Sequence, residues 1–166
     1  MIISVIGGDR AGAAALEAAE AVGRELARKG VTLVCGGRGG VMEAACRGAR
    51  AEGGHTIGIM PGNDREDSPP NAFVEFPIFT GLGYTRNVVV VLSGEAVIAI
   101  DGSYGTLNEI AYALIHNKPI VGMDTWDFAY ADHDNERIFR AKTPVEAVAK
   151  AIEMATKQRE DANEQI

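Results

Sequence analysis

Three times in this sequence a short, largely apolar run stops on a glycine-rich turn and a helical pattern begins, and that recurrence restricts the fold more than any other feature. Ile2 to Ile6 ends at Gly7-Gly8, before the alanine-rich helical spacing of residues 12–29. Val31 to Cys35 ends at Gly36-Gly37-Arg38-Gly39-Gly40, before residues 41–52. Ala96 to Ile100 ends at Asp101-Gly102, before a helix that begins near Tyr104. Apolar runs without strict alternation belong to strands buried on both faces, and parallel strands of that kind need crossover helices between them.

Further strands are expected at His55 to Met60, at Val74 to Phe79 despite Pro77, and at Ile120 to Met123. Further helices are expected at Leu82 to Ser93 and at Pro144 to about Arg159, the latter capped by Thr143, with Pro144 in first position and Glu146 three residues after the cap. The expected fold is therefore α/β: a single doubly wound, Rossmann-like domain over residues 1–158, with a parallel sheet of six to seven strands, helices on both faces, and a polar tail at 159–166. Residues 62–72, polar and holding two prolines, read as a lid or an oligomer contact.

In a doubly wound sheet the ligand lies beyond the carboxyl ends of the strands. The three turns meet at that edge, so Gly7, Gly8, Gly36, Gly37, Gly39, Gly40 and the stretch from Gly102 to Thr106 are expected to surround one cleft. The third turn carries the strongest sign of chemistry. Gly102 and Gly105 permit close backbone approach, while Ser103 and Thr106 place hydroxyls beside the unpaired N–H groups at the positive end of a helix dipole. That combination receives phosphate. Glu109 stands about one turn into the helix, near whatever the phosphate carries. The same residues also spell a capping box, in which Thr106 caps the helix and Glu109 bonds back, and the two uses are compatible. Asp101 would repel a phosphate unless turned away or paired; a base or a pterin is what it could accept a bond from.

The formal net charge of −7 speaks against a nucleic-acid partner, because such binding rests on clustered Lys and Arg. One small anion can still be held by local backbone dipoles. Cys35 and Cys46 lack metal-ligand spacing and the density of a secreted disulfide scaffold, so they read as small core residues in a reducing compartment. No leader precedes the first strand and no apolar run approaches the ~18 residues of a membrane span. A soluble, cytoplasmic protein without membrane partners is expected.

Familiar cofactors fit poorly. The dinucleotide fingerprint wants glycine where Asp9 stands, and an acidic ribose ligand where Cys35 and Gly36 stand. No lysine follows any glycine turn as a Walker loop requires. A pyridoxal Schiff base would need Lys29, Lys118, Lys142, Lys150 or Lys157, none of which is expected near the cleft. His55, His116 and His133 fall on different elements, so no metal is assigned; Asp132-His133-Asp134 could touch a metal but reads rather as a solvated loop.

Gly36-Gly37-Arg38-Gly39-Gly40-Val41-Met42, Thr80 to Asn87 (TGLGYTRN) and Gly102 to Glu109 (GSYGTLNE), in that order, resemble the Lonely Guy superfamily, also called lysine-decarboxylase-like, and within it the branch of molybdenum-cofactor carrier proteins. The resemblance spans residues 2–155. Cytokinin-activating members cut the N-glycosidic bond of a nucleoside 5′-monophosphate, releasing base and ribose 5-phosphate without a cofactor, through a motif P-G-G-x-G-T-x-x-E and an arginine of the preceding helix. Gly102, Gly105, Thr106 and Glu109 match that motif and Arg86 matches the arginine. Asp101 replaces the proline, Ser103 the second glycine, and Asn87 a lysine. The resemblance implies Arg86 and Glu109 as catalytic, and Met42, Asn87 and Tyr104 among the ligand contacts. Arg86 could fork onto phosphate oxygens or onto Glu109, although a surface or interface ion pair is its plainer reading.

Two functions follow from this resemblance. One is a nucleotide-binding phosphoribohydrolase; the other, favoured by Arg86-Asn87 and Ser103, is a non-catalytic carrier or sensor holding molybdenum cofactor or a nucleotide signal. Val88 to Leu92 is apolar on more than one face, so that helix is either sandwiched in the core or buried between subunits; since relatives form homodimers or homotetramers, a homo-oligomer binding a small phosphorylated ligand is expected.

Overall fold

The computed structural model describes residues 1–128 and 137–164. Seven strands form one sheet: β1 (Ile2–Gly7), β2 (Thr32–Cys35), β3 (Thr56–Met60), β4 (Phe76–Phe79), β5 (Ala96–Ile100), β6 (Ile120–Met123) and β7 (Ile138–Arg140). Their order is β4-β3-β2-β1-β5-β6-β7 and every pairing is parallel. Five helices connect and cover them: α1 (Ala13–Arg28), α2 (Val41–Ala51), α3 (Asn87–Ser93), α4 (Tyr104–Ile115) and α5 (Pro144–Asn163). This is the doubly wound Rossmann-like α/β fold.

Strand side chains alternate between two separate cores, as a period of two requires. Ile3 and Val5 of β1, with Ala96, Ile98 and Ile100 of β5, pack beneath α1, α2 and α5. Ile6, Val97 and Ala99 face the other way, onto Val90 and Val91 of α3 and Ile110 and Ala113 of α4. Both faces of β5 are therefore dry, which explains why its sequence shows no polar alternation. Ser4 is the polar exception in β1, and its hydroxyl donates to the Val90 carbonyl at 2.7 Å.

Several boundaries differ from expectation for identifiable reasons. β4 begins at Phe76 rather than Val74 and keeps Pro77 opposite Gly58, which costs no ladder bond because β4 is the sheet edge. The expected helix from Leu82 splits into a 3₁₀ turn, Gly83–Arg86, and α3, the turn opening with Gly83 at a φ of 53°. α5 starts as expected, with Thr143 Oγ1 accepting from the Glu146 amide at 3.2 Å, but runs to Asn163, into the segment expected to be tail. The loop at 62–72 is pinned to the β2 turn, where Asn71 donates to the carbonyls of Gly37 and Arg38 at 2.9 and 2.8 Å. Among the described residues no helix is long and apolar enough to cross a membrane.

Candidate functional site

The strand order turns back on itself between β1 and β5, and a cleft of about 590 Å³ opens at the glycine turns that follow those two strands. One wall comes from the β1 turn, Gly7 to Asp9, braced by the start of α2. The Val41 amide donates to the Gly8 carbonyl at 3.0 Å, and Gly40 allows that approach: its φ is 62° and a Cβ there would stand 2.3 Å from the Gly8 oxygen. Met42 follows and reaches the cleft.

The opposite wall is the first turn of α4. Ser103 is its extended N-cap and its hydroxyl makes no capping bond. Leu107 is the first amide to return, donating to the Ser103 carbonyl at 3.0 Å. The amides of Tyr104, Gly105 and Thr106 thus head the helix without intrahelical acceptors, and all three residues line the cleft. The capping box is not formed. Thr106 lies inside the helix rather than before it, packs against Gly102, and its buried hydroxyl has no hydrogen-bond partner.

Charge is concentrated in the depth of the cleft. Arg86 ends the 3₁₀ turn and Glu109 lies in the second turn of α4; their closest nitrogen and oxygen are 3.7 Å apart, with side chains 9% and 8% exposed. The Arg86 guanidinium donates to Asn87 Oδ1 and, at 3.2 Å, to the Gly36 carbonyl, while its buried Nε has no partner. Asn87 in turn donates to Asn108 Oδ1 at 3.0 Å. Burial pushes the Glu109 carboxyl up to about 7, against the opposing pull of Arg86. Burial also lowers Arg86, though it remains a cation at neutral pH. A carboxyl that exchanges its proton near neutrality, beside a buried cation and a helix N-terminus, is equipped for acid–base work on an anionic ligand.

Ten expected residues come together here: Gly7, Gly8, Met42, Arg86, Asn87, Ser103, Tyr104, Gly105, Thr106 and Glu109 all line the cleft. Six do not. Gly36 lies behind Arg86, and a Cβ there would come within 2.6 Å of the guanidinium. Gly37 packs on Met60, Gly40 supports the β1 turn, and Gly39 borders a neighbouring cleft of about 720 Å³ shared with the 62–71 loop. Asp101 and Gly102 form the shoulder of the turn; Asp101 has a φ of 51° and is bonded through its backbone, to Met123 and to the Thr125 hydroxyl. The second glycine turn is therefore scaffolding more than lining, and Asp101 stands outside the lining altogether.

The sequence reading missed Asp9, Arg38, Tyr84, Thr85, Asn108 and Tyr112 as lining residues. Tyr112 had a usable signal, since it sits three residues after Glu109 on the same helix face. Arg38 and Asp9, from neighbouring glycine turns, meet at 3.9 Å, a pairing only the fold produces. No lysine lines the cleft, and Lys118 donates to the Gly94 carbonyl at 2.6 Å. Among the described residues no His, Cys, Asp or Glu cluster could hold a metal; Asp132-His133-Asp134 lies outside them. Cys35 and Cys46 are free, buried thiols 3.5 Å apart.

A parallel sheet with a switch point, and a cleft opening between the glycine turns that follow the two strands beside it, define a Rossmann-like protein. The chain belongs to the SLOG cluster4 family, whose model matches residues 1–155. The molybdenum cofactor binding protein of Rippkaea orientalis is similar over 95% of this chain and 96% of its own, at 35% identity and a TM-score of 0.82. The molybdenum cofactor carrier protein of Chlamydomonas reinhardtii is similar over 93% and 98%, at 31% identity and a TM-score of 0.80. The cytokinin riboside 5′-monophosphate phosphoribohydrolase of Mycobacterium marinum is 34% identical over 118 residues, which are 67% of this chain and 63% of that enzyme. These relatives place the chain in the Lonely Guy superfamily near its molybdenum-cofactor carrier branch.

Proposed function

We propose that the cleft binds a nucleoside 5′-monophosphate and that Glu109 and Arg86 hydrolyse its N-glycosidic bond, giving free base and ribose 5-phosphate. The observation that carries this reading is the Glu109 carboxyl, buried in the cleft with its titration raised to about 7 and Arg86 at 3.7 Å. As the glycosidic bond breaks, the ribose gains oxocarbenium character, which a carboxylate stabilises directly or relieves by activating water. The amides of the first α4 turn hold the phosphate and fix the sugar relative to Glu109. No resident cofactor is needed for that chemistry, and the two free thiols suit a reducing cytoplasm.

Incubation with AMP and other nucleoside monophosphates should release free base, read by chromatography. Silence across the whole panel from folded protein removes the hydrolase.

A second reading, carriage of a pterin phosphate such as molybdenum cofactor, is supported by the Asn87 side chain, which holds Arg86 and Asn108 together where the hydrolases carry lysine. The whole-chain likeness to molybdenum-cofactor proteins points the same way. Here the cofactor is cargo, and native mass spectrometry of gently purified protein would find it retained.

The assembly we propose is a homodimer or homotetramer. Leu82, Tyr84, Leu92 and Ile115 are 44–81% exposed along the 3₁₀ turn, α3 and α4. Light scattering at micromolar concentration should return a multiple of 17.5 kDa. A monomer mass contradicts the proposal.

A further inference from the structure

Tyr104 is 82% exposed although it lines the cleft and opens α4, so folding alone does not account for an aromatic side chain there. Its ring is nonetheless held. Trp126 stacks on it with centroids 6.0 Å apart and planes inclined by 30°. Trp126 is itself anchored, its Nε1 donating to the Ser103 carbonyl at 3.1 Å, while the neighbouring Thr125 hydroxyl donates to the Asp101 carbonyl at 2.6 Å. The segment after β6 is thereby fastened to both shoulders of the turn between β5 and α4. Trp126 is not a lining residue of the cleft, whereas Tyr104 is, so the indole backs the phenol ring from outside.

We infer that Tyr104, backed by Trp126, is the stacking platform for a planar ring of the ligand and restricts the site to phosphorylated heterocycles. The inference rests on the anion reading of the same turn. Tyr104 carries one of the amides that head α4, so a phosphate on that turn and a ring on the phenol belong to one molecule. Stacking of this kind tolerates any base, because every base has a π-face, and it loses little entropy when the platform is already oriented. A pterin satisfies it as well as a purine does. Ribose 5-phosphate, which has the phosphate and no ring, does not.

The test compares AMP with ribose 5-phosphate by calorimetric titration, in the parent protein and in a Glu109→Gln background where nothing is consumed. Tyr104→Ala should weaken AMP by about ten-fold while leaving ribose 5-phosphate unchanged, and Tyr104→Phe should restore AMP. The chain has one tryptophan, so AMP should also perturb Trp126 emission and ribose 5-phosphate should not. Equal losses for both ligands would assign Tyr104 to the turn, and no loss for either would place the ring elsewhere; each overturns the inference. Parent protein that binds ribose 5-phosphate as tightly as AMP defeats the stacking role alone. Parent protein that binds neither defeats the anion site, and this inference with it.

Discussion

Glu109→Gln should lower kcat for the best nucleoside monophosphate by about 100- to 10,000-fold, the range expected when a positioned acid–base group is lost, with ligand affinity retained. Glutamine keeps the size of the side chain and one hydrogen-bonding oxygen, but it cannot carry the negative charge that the developing oxocarbenium demands. In the parent protein the proposed hydrolysis should rise in kcat with pH up to about 7 and level off above it, following ionisation of the buried carboxyl. The residual rate of the variant should show no such rise. A variant that turns over at the parental rate leaves Glu109 with a purely structural role.

The same carboxyl makes a stability prediction whose sign is fixed. Its folded-state value, about 7, lies above the ordinary 4.5, so between those values the folded protein holds a proton that the unfolded chain has released. Stability from this group is full below pH 4.5, falls as pH rises through the interval, and is flat above it. The fall is on the order of 3 kcal/mol for a shift of this size. Other carboxylates move oppositely: Glu20, Glu52 and Glu75 are held below their ordinary range, by Arg47, Arg28 and His55 respectively. Urea unfolding of parent and Glu109→Gln proteins between pH 5 and pH 8 isolates the Glu109 contribution as a difference that grows with pH.

Gly23→Ala should destabilise the fold by about 3 kcal/mol, at the upper end of ordinary overpacking. Alanine is the better helix former by about 1 kcal/mol, so local propensity alone predicts the opposite sign. Tertiary contact reverses it. Gly23 of α1 faces α2 so closely that a Cβ would fall 1.9 Å from the Ala45 carbonyl oxygen, and on α2 a Cβ at Gly48 would fall 2.0 Å from the Glu20 carbonyl oxygen. Both obstacles are backbone, so the helices must separate. That displacement reaches the cleft, because α2 also carries Met42 and the Val41 bond to Gly8. Chemical denaturation that finds Gly23→Ala as stable as the parent would refute the close crossing.

Local pattern determined the order and type of nearly every element. Continuous apolar runs marked doubly buried strands, glycine turns marked their carboxyl ends, and Thr143-Pro144 with Glu146 marked the start of α5, because each rests on physics acting within a few residues. Pro77 lay inside a strand without excluding it, since edge position is a property of the sheet. Arg86 and Glu109 were legible through motif, but their separation and burial were not.

What only the tertiary structure decided is which turns form the cleft and which merely support it. Sequence placed all three glycine turns around one cleft and singled out the third for phosphate. The fold makes the β1 and β5 turns its walls, because those strands flank the reversal in strand order, and sets the β2 turn behind Arg86, where Gly36 accepts its hydrogen bond. Asp101 left the lining for the same kind of reason: its neighbours in space, Met123 and Thr125, are more than twenty residues away in the chain. The raised titration of Glu109 is likewise collective, desolvation by packed neighbours prevailing over the opposing pull of one guanidinium, and no window of sequence contains both.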